Sequence, residues 1–572
     1  MGHGHPHHHH DDIVTGSAAD ASPAVDLSVP DRELSPADRS RRGFLRNAGL
    51  LGAGAAATVL ATPELAHAHG PSEDHGHAPG GDRGRTGGFQ WLAGDHHIHT
   101  QHSSDGMYRV LDQARHAHAD GLDWMVVTDH GSATHAKIGV EIVNPDIVDA
   151  REQLKDLLVF QGLEWNIPAA EHGTVFVHPG RNEVAVLKEF ENAYDGSVRN
   201  AGDSTPANEA LAIAGIKFLG DAVRRRRVDA ALFLANHPAR RGVDSPHEIR
   251  AWRDADPTVA IGMEGAPGHQ AGGIPKPNGP GGARGIYDNN PSAQSFPGYP
   301  LESYRTWGGF DWMTATVGGL WDSLLAEGRA WWITANSDSH VNYLDTAQRG
   351  PNGNFDANGR YDDPVHGPLL LGANDFWPGQ YSRTHVGATS FAYKAVMDGL
   401  RAGRVWVDHG GLIGGLDVRA RVAGDRRPDS GTPLGGSLVV KRGTKVELTI
   451  DIDLAQTPNW SQFVPVLARV DVITGRVTGP VANGDTFTAP TARVAKSFEV
   501  KRGSRRVSFT YSFGAVNEPF YVRLRGTDGN RTAPGLMGAA VDPVGPAMDV
   551  PGDADPWTDL WFYANPIFVL PR

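Results

Sequence analysis

The 572-residue chain contains no cysteine. Disulfide bonds, thiolate metal ligands and cysteine nucleophiles are therefore excluded, and any metal site must be built from histidine and carboxylate side chains. Basic residues are also fewer than acidic ones, with 53 lysines and arginines against 66 aspartates and glutamates, so the formal net charge is −13. This acidic balance argues against a nucleic-acid polymer or an anionic membrane surface as a non-specific partner.

Long hydrophobic runs are missing as well. The apolar part of "SRRGFLRNAGLLGAGAAATVLATPELAHA" is too short and too rich in glycine and alanine for a stable membrane span. Arg41 and Arg42 precede it, and Ala66-His67-Ala68 fits a small-x-small cleavage site. The segment resembles a twin-arginine signal peptide, with an ordinary secretory signal or a retained anchor as alternatives. We therefore expect a secreted or extracytoplasmic protein, with no transmembrane segment in the mature chain.

Histidine, by contrast, is abundant, with 27 in the chain. Those in the N-terminal run "MGHGHPHHHH" and in the linker at 69–90 lack an ordered framework, although both stretches could bind metal loosely. The segment "GDHHIHTQHSSDG" differs, because His97 and His99 are two residues apart and follow an apolar run. On a strand, side chains at this spacing share one face. Two imidazoles on one face are half of a metal site.

Helix-like and strand-like segments alternate from Trp91 to about residue 412, which predicts a parallel α/β barrel or sheet. Most of the predicted strands end in a histidine or a carboxylate. In α/β barrels the carboxyl ends of the strands form the active-site face, so these scattered side chains are expected to converge. They include His130, Glu164, His178, His237, Glu264, Asp338 and His340.

The pattern changes after about residue 415. Segments such as "KVELTIDIDL" and "RRVSFTYSF" alternate apolar and polar residues between glycine-, asparagine- and aspartate-containing turns. This alternation predicts antiparallel strands in a β-sandwich-like domain. The expected organisation is a disordered N-region with signal peptide at 1–68, a His/Gly-rich linker at 69–90, the α/β domain at 91–412 and a β-rich domain at 413–572.

Five motifs in order, "DHHIHTQHSSDG", "VVTDHG", "GLEW", "NHP" and "NSDSH", resemble those of the PHP (polymerase and histidinol phosphatase) family of metallohydrolases. The TrpH-like and CehA/McbA-type members are the most similar in pattern. The resemblance implies a distorted (β/α)7 barrel in the α/β domain. It also implies two or three divalent ions (Zn, Mn or Fe) and phosphoester hydrolysis by metal-activated water.

The resemblance also implies a ligand set. One ion would be held by His97 and His99 with Glu164 and Asp338, and Glu164 would bridge to a second ion. The histidine after Glu164 is either His172, which precedes its predicted strand, or His178 at the far end, and we favour His172. The remaining implied ligands are Asp105, His130, His237 and His340.

Three further side chains are candidates for catalysis. Arg383 and His385, in "YSRTHVG", are expected to bind the substrate phosphate, since arginine suits bidentate phosphate contacts. His135 follows the His130 strand and is a candidate general acid. The structural alternative for Arg383 is a surface arginine that caps a loop, and the alternative for His135 is a solvent-exposed histidine at a helix start. Glu264 and His269 could line the pocket, without an assigned role.

The expected function is therefore an exported, metal-dependent phosphoesterase that acts on small phosphate esters or nucleotide-like compounds. Two alternatives remain open. One is an amide, carbamate or carboxylic ester hydrolase on the same barrel. The other is a non-catalytic metal-binding surface protein. The sequence indicates neither the oligomeric state nor a role for the β-rich domain.

Overall fold

The computed structural model describes residues 85–86, 88–351, 353–425, 427, 430–501, 503–530 and 542–572. The predicted signal peptide and most of the His/Gly-rich linker lie outside the described residues. Among the helices that are described, none has the length and apolar character needed to cross a membrane.

Strands and helices alternate through the first two thirds of the described chain. The strands are β1 (Arg85–Thr86), β2 (Phe89–Asp95), β3 (Trp124–Val127), β4 (Leu158–Asn166), β5 (His172–Val177), β6 (Ala231–Ala235), β7 (Ala260–Ala266), β8 (Trp332–Ala335), β9 (Ala347–Gln348), β10 (Val365–His366), β11 (Ser382–Ala388) and β12 (Val405–His409). The α-helices are α1 (Val110–Ala119), α2 (Val140–Gln153), α3 (Glu183–Tyr194), α4 (Gly196–Arg199), α5 (Pro206–Arg224), α6 (Pro246–Ala255), α7 (Trp312–Ala315), α8 (Leu320–Ala326), α9 (Phe355–Asn358) and α10 (Tyr393–Arg401). A π-helical turn, His135–Gly139, leads into α2.

A single sheet runs through this region in the order β12-β11-β2-β3-β4-β5-β6-β7-β8. Its strands are short and apolar, and every residue of β3 and β6 is buried. Strands buried on both faces are typical of sheets covered by helices. The expectation of a parallel order holds for β2-β3-β4 and β6-β7-β8. It is wrong at β5, which is antiparallel to both of its neighbours, and at β11, which is antiparallel to β2 and to β12.

Local sequence signals set several helix starts. α5 begins with Pro206 after Thr205, whose hydroxyl accepts a hydrogen bond from the Asn208 backbone N–H. Proline suits this position because the first N–H groups of a helix have no partner within it. α6 begins with a reciprocal capping box between Ser245 and Glu248. These caps fix the residues at which the two helices begin.

The remaining described chain is β-rich. Its strands are β13 (Ile413–Val422), β14 (Thr432–Pro433), β15 (Ser437–Val440), β16 (Thr444–Leu454), β17 (Arg469–Arg476), β18 (Arg493–Glu499), β19 (Arg506–Val516), β20 (Phe520–Thr527) and β21 (Trp561–Pro571). A four-stranded antiparallel sheet, β14-β13-β16-β19, shares one hydrophobic core with β17, β20 and β21. An α/β region followed by an antiparallel β region is therefore present.

The two regions share hydrogen bonds, because β21 pairs with β12 in antiparallel fashion. The domain boundary at 412/413 stays a prediction, and the main sheet runs across it. At the other end, the Ala335 N–H donates to the Thr384 hydroxyl (2.8 Å) and the Ile333 N–H donates to the Asn565 side chain (2.9 Å). Side chains thus bring β8 against β11 and β21, while the distorted (β/α)7 barrel stays a prediction.

Candidate metal centre

Buried carboxylates tie together the loops that follow the strands. Asp95, the last residue of β2, accepts hydrogen bonds from the backbone N–H groups of His97 (3.0 Å) and Ser337 (2.9 Å). Asp129, after β3, accepts from the backbone N–H of Thr100 at 2.6 Å. The loops after β2, β3 and β8 are thereby fixed to one another, which brings the predicted ligands to one end of the sheet.

The direction of β5 decides between His172 and His178. Because β5 is antiparallel, its first residue pairs with Asn166 at the end of β4. His172 therefore lies beside the strand ends that carry the other candidates. His178 lies at the opposite end, where its Nδ1 is 2.8 Å from the Pro179 carbonyl oxygen and 3.8 Å from Asp229. The structure places His172 in the cluster and His178 outside it.

Glu164, at the end of β4, lies at the middle of the cluster and is 1% exposed. Five imidazoles have a nitrogen within 3.4 Å of its carboxylate oxygens. They belong to His97 (3.1 Å), His99 (3.3 Å), His130 (3.0 Å), His172 (3.2 Å) and His237 (3.4 Å). A buried carboxylate whose two oxygens both face imidazole nitrogens could serve as a metal ligand.

Asp338 faces Glu164 across the two N-terminal histidines. Its Oδ1 is 3.1 Å from His97 Nε2, 3.3 Å from His99 Nε2 and 3.5 Å from His340 Nδ1. Despite these short distances, no group among the described residues forms a hydrogen bond with this buried oxygen. A buried carboxylate oxygen without a partner is costly. A cation among these side chains would supply the missing partner.

Asp105 closes the cluster on its solvent side, where its side chain is 46% exposed. Its Oδ2 lies 3.1 Å from His130 Nε2 and 3.4 Å from His340 Nε2. Its Oδ1 accepts a hydrogen bond from the Ser103 hydroxyl at 2.6 Å. The loop from His99 to Asp105 thus brings a third carboxylate to the same pair of imidazoles.

Electrostatics within the cluster fit a cation site. Burial opposes the charge on Glu164, but His130, His97 and His172 hold the pKa of its carboxyl well below the usual range. Burial likewise opposes charge on His97, while Asp338, Glu164 and Glu264 raise its pKa well above the usual value. Without ions, protons on imidazoles therefore balance the carboxylates. Bound cations would replace those protons.

Some ligand atoms are already set for cation binding. Burial and the nearby Arg240 lower the pKa of His237 to about 3, which keeps this imidazole neutral. The neutral form is the one that binds a metal. Among the described residues, five sets of side chains bring ligand atoms within 4.8 Å of one another. They are His97, His99 and Asp338; His130, Glu164 and His172; His99, Asp105, His130 and His340; Glu171, His172 and His237; and His269, His340 and Asp375. Imidazole and carboxylate donors suit zinc, manganese or iron.

The three candidate catalytic residues lie elsewhere. His135 is buried in the π-helical turn, with its Nδ1 2.9 Å from Glu191. It is therefore not the solvent-exposed histidine that was the structural alternative. Arg383 donates to the backbone carbonyls of Gly379 (2.8 Å) and Asp120 (3.1 Å). These partners hold the side chains in place structurally and do not bring them into the cluster.

His385 is also held away from the cluster. Its Nε2 lies 2.8 Å from Asp408, and its ring stacks on Trp406 with centroids 3.6 Å apart. The expectation that Arg383 and His385 bind substrate phosphate rested on their position after the Asp338-x-His340 motif. It stays a prediction, and β11 turns both side chains towards partners in neighbouring segments.

The structure adds two residues that had no predicted role. Glu264, at a strand end, accepts from His97 Nδ1 at 2.7 Å and thereby orients that ring. Glu171 lies 3.7 Å from His237 Nδ1 and pairs with Arg240 and Arg241 at 3.1 and 3.0 Å. The expectation that site residues lie at the carboxyl ends of strands (the strand-end rule) pointed to Glu264. For Glu171 the signal was only its position next to His172.

Comparisons with known proteins add little to this geometry. No protein-family model and no curated protein matches the chain. A search of solved structures found a two-domain protein from Bacteroides vulgatus that contains a predicted PHP-like metal-dependent phosphoesterase. That match covers 82% of this chain and 94% of the other, at 13% sequence identity and a TM-score of 0.30. A likeness at this level establishes neither a shared fold nor a shared activity.

Proposed function

We propose that this chain is a metal-dependent hydrolase of phosphate esters. One observation carries the proposal: nine histidine and carboxylate side chains from several strands and loops meet in a largely buried cluster around Glu164 and Asp338. A single unmatched buried carboxylate is costly, and a whole cluster without cations is more so. The set comprises His97, His99, Asp105, His130, Glu164, His172, His237, Asp338 and His340.

Each of these residues has a place in the proposed site. His97, His99 and Asp338 would hold one ion. Glu164, which lies 3.1 Å from His97, 3.2 Å from His172 and 3.4 Å from His237, would contribute to that ion and to a second one held with His172 and His237. Asp105, His130 and His340 would hold a third. Such ions polarise phosphoryl oxygens and make hydroxide available from water near neutral pH. Glu264 keeps the His97 ring oriented throughout.

Arg240 replaces Arg383 as the proposed substrate-binding cation. It follows His237 on the same loop, donates Nη2 to Glu171 at 3.1 Å and is 20% exposed. Its partner Glu171 lies 3.7 Å from His237 Nδ1, so the guanidinium is joined to the cluster through one carboxylate. Burial opposes the charge on Arg240, but Glu171, Asp338 and Glu164 raise its pKa. A guanidinium beside the cluster favours an anionic substrate over a neutral amide or carboxylic ester.

The twin-arginine-like segment supports export of the folded chain to an extracytoplasmic location. Fractionation of cells that express the chain with and without Arg41→Lys/Arg42→Lys tests this part. Accumulation of the variant inside the cell supports export by that route. Equal secretion of both forms contradicts it.

The hydrolytic proposal is tested on residues 69–572, which lack the N-terminal histidine run. Metal content is measured together with hydrolysis of phosphomonoesters, phosphodiesters, carboxylic esters and carbamates. His97→Ala and Asp338→Ala are expected to lose both metal and phosphate release. Arg240→Ala is expected to keep its metal and to raise KM for phosphate esters.

The contrary outcomes are distinct. A fully metallated chain that cleaves only the carboxylic esters or carbamates would support the alternative hydrolase. Metal retained at full stoichiometry without any hydrolysis would favour a non-catalytic metal-binding protein.

A further inference from the structure

A second histidine-carboxylate pair borders the cluster and belongs to none of the nine predicted ligands. His269 follows β7, and Asp375 lies in the segment before β11. His269 Nδ1 is 2.5 Å from Asp375 Oδ1, and its Nε2 is 2.8 Å from Asp338 Oδ2. The imidazole therefore lies between an outer carboxylate and a carboxylate of the cluster.

The same arrangement occurs at His97, on the other side of Asp338. There Nδ1 is 2.7 Å from Glu264, and Nε2 is 3.1 Å from Asp338 Oδ1. A carboxylate on one ring nitrogen is the usual support for a histidine whose other nitrogen binds a metal, because it fixes the tautomer and raises the basicity of the ligand. His269 thus has the surroundings of a ligand.

Backbone geometry also distinguishes His269. Its φ is +53°, a left-handed conformation that is uncommon for residues other than glycine. Two of the predicted ligands share this feature, His237 with φ +29° and Asp338 with φ +48°. Strained backbone of this kind concentrates at functional sites, where the surrounding structure enforces it.

Close packing holds the His269 loop against the Asp338 loop. A Cβ added to Gly268 would lie 2.1 Å from the Asp338 Cβ and 2.3 Å from the Ser337 carbonyl oxygen. The His269 N–H donates to that carbonyl at 3.1 Å. Asp375 in turn accepts from the backbone N–H of His340 at 2.6 Å. Hydrogen bonds and close packing therefore connect the segments of His269 and Asp375 to the loop that carries Asp338 and His340.

We propose that His269 is a further metal ligand, which shares an ion with Asp338 and is oriented by Asp375. This inference rests on the proposed metal centre and extends it by one imidazole. An added nitrogen donor would favour borderline ions such as zinc, iron or cobalt over magnesium at that position.

His269→Asn is the informative variant. Asparagine tolerates the left-handed backbone and keeps a donor near the position of Nδ1 for Asp375, but it removes Nε2. Asp375→Asn is the companion that leaves the imidazole in place. The matched control is His385→Asn, which breaks a His–Asp pair of similar length with Asp408. That pair lies outside the cluster.

Apo protein of each form is titrated with Co²⁺ while the visible d–d absorption and the bound metal per chain are recorded. Changing an outer-shell partner of a ligand typically weakens metal binding by about 10- to 100-fold. His269→Asn removes a ligand, so it should weaken binding of one ion by more than this and should alter the spectrum. Asp375→Asn should weaken it by about 10- to 100-fold with a smaller spectral change. His385→Asn should match the wild type.

Two results would overturn the inference or its basis, and they can be told apart. If the wild type binds metal and His269→Asn shows the same affinity and spectrum, His269 only hydrogen-bonds to Asp338. If the wild type binds no stoichiometric metal, the proposed centre itself is wrong. Circular dichroism of every form excludes misfolding. A second variant is His269→Gln, which places an amide nearer to the position of Nε2.

Discussion

Two buried clusters of charged side chains in this chain neutralise their carboxylates in different ways. The first is the histidine-carboxylate cluster around Glu164. The second lies where α8 meets β20, and there Asp322 and Arg523 are both fully buried. Asp322 accepts from Arg523 Nε and Nη2 at 2.8 Å each, from the Tyr521 hydroxyl at 2.9 Å and from the Gly318 N–H at 2.7 Å.

The contrast lies in what neutralises the carboxylates. Around Asp322 the positive charge is a guanidinium that cannot lose its proton, and its face also packs over the Trp321 ring at 4.6 Å. Around Glu164 and Asp338 the partners are imidazoles, whose protons can leave. A permanent ion pair serves a structural joint. A cluster of titratable ligands can instead exchange its protons for metal ions.

Matched substitutions at the two central carboxylates test this difference most strongly. Glu164→Gln should lose bound metal and at least about 100-fold in phosphate hydrolysis, since it removes a ligand and not merely an outer-shell partner. In chelator its free energy of unfolding should change by no more than about 1 kcal/mol, because the neighbouring imidazoles can release their protons. Metal analysis, steady-state kinetics and urea unfolding give the three readouts. Wild-type metal content in Glu164→Gln would remove the basis of the comparison.

The reciprocal change is Asp322→Asn. It leaves the buried guanidinium of Arg523 without a counter-charge and should cost about 3–5 kcal/mol of stability. Hydrolysis per folded molecule should stay at the wild-type level, because Asp322 lies outside the cluster. Urea unfolding in chelator measures the loss. An Asp322→Leu/Arg523→Met double variant should recover much of it, and failure to recover would assign the cost to packing instead of charge.

Metal addition should raise the free energy of unfolding through the Glu164 cluster and not through the Asp322–Arg523 pair. An ion at 100 times its dissociation constant should raise the free energy of unfolding by about 2.7 kcal/mol for each site that is filled only in the folded state. His97→Ala should lose this increment, whereas Asp322→Asn should keep it on top of a lower baseline. Thermal melts with and without chelator provide the test. An equal metal increment in His97→Ala would show that the ions bind elsewhere, for example at surface histidines.

The strand-end rule explains why so much of the candidate centre was predictable. Strand ends gave His130, Glu164, His237 and Asp338, because parallel strands place their carboxyl ends together. The same rule failed at His178, since a sequence does not reveal that β5 runs in the opposite direction. The apolar runs that predict strands carry no information about orientation.

Residues on long segments escaped prediction for a different reason. Asp375 lies 35 residues beyond His340, yet its carboxylate accepts from the His340 N–H. No periodic pattern connects two such positions. Nor does any local pattern predict the partners of Arg383 and His385. Their actual partners, such as the Asp120 carbonyl and Asp408, are set by strand pairing.

An exposed ion pair should give the smallest change in stability, and it tests how strongly burial determines the strength of a pair. His247, in α6, lies 2.5 Å from Asp485 of the β-rich region, and the two side chains are 44% and 40% exposed. Burial opposes the charge on His247, but the hydrogen bond and charge of Asp485 raise its pKa. A raised pKa in the folded state means that the pair stabilises fully below the ordinary histidine pKa. That contribution is lost as the pH rises through the folded value.

Asp485→Asn should therefore lower stability at acidic pH by less than about 1 kcal/mol, because solvent screens an exposed pair. Near pH 9 it should have no effect. Urea unfolding of both forms from pH 5 to 9, in chelator, gives the difference curve. A loss of similar size at every pH would mean that Asp485 acts through packing or a neutral hydrogen bond. A loss as large as that of Asp322→Asn would mean that burial is not what separates strong from weak ion pairs in this chain.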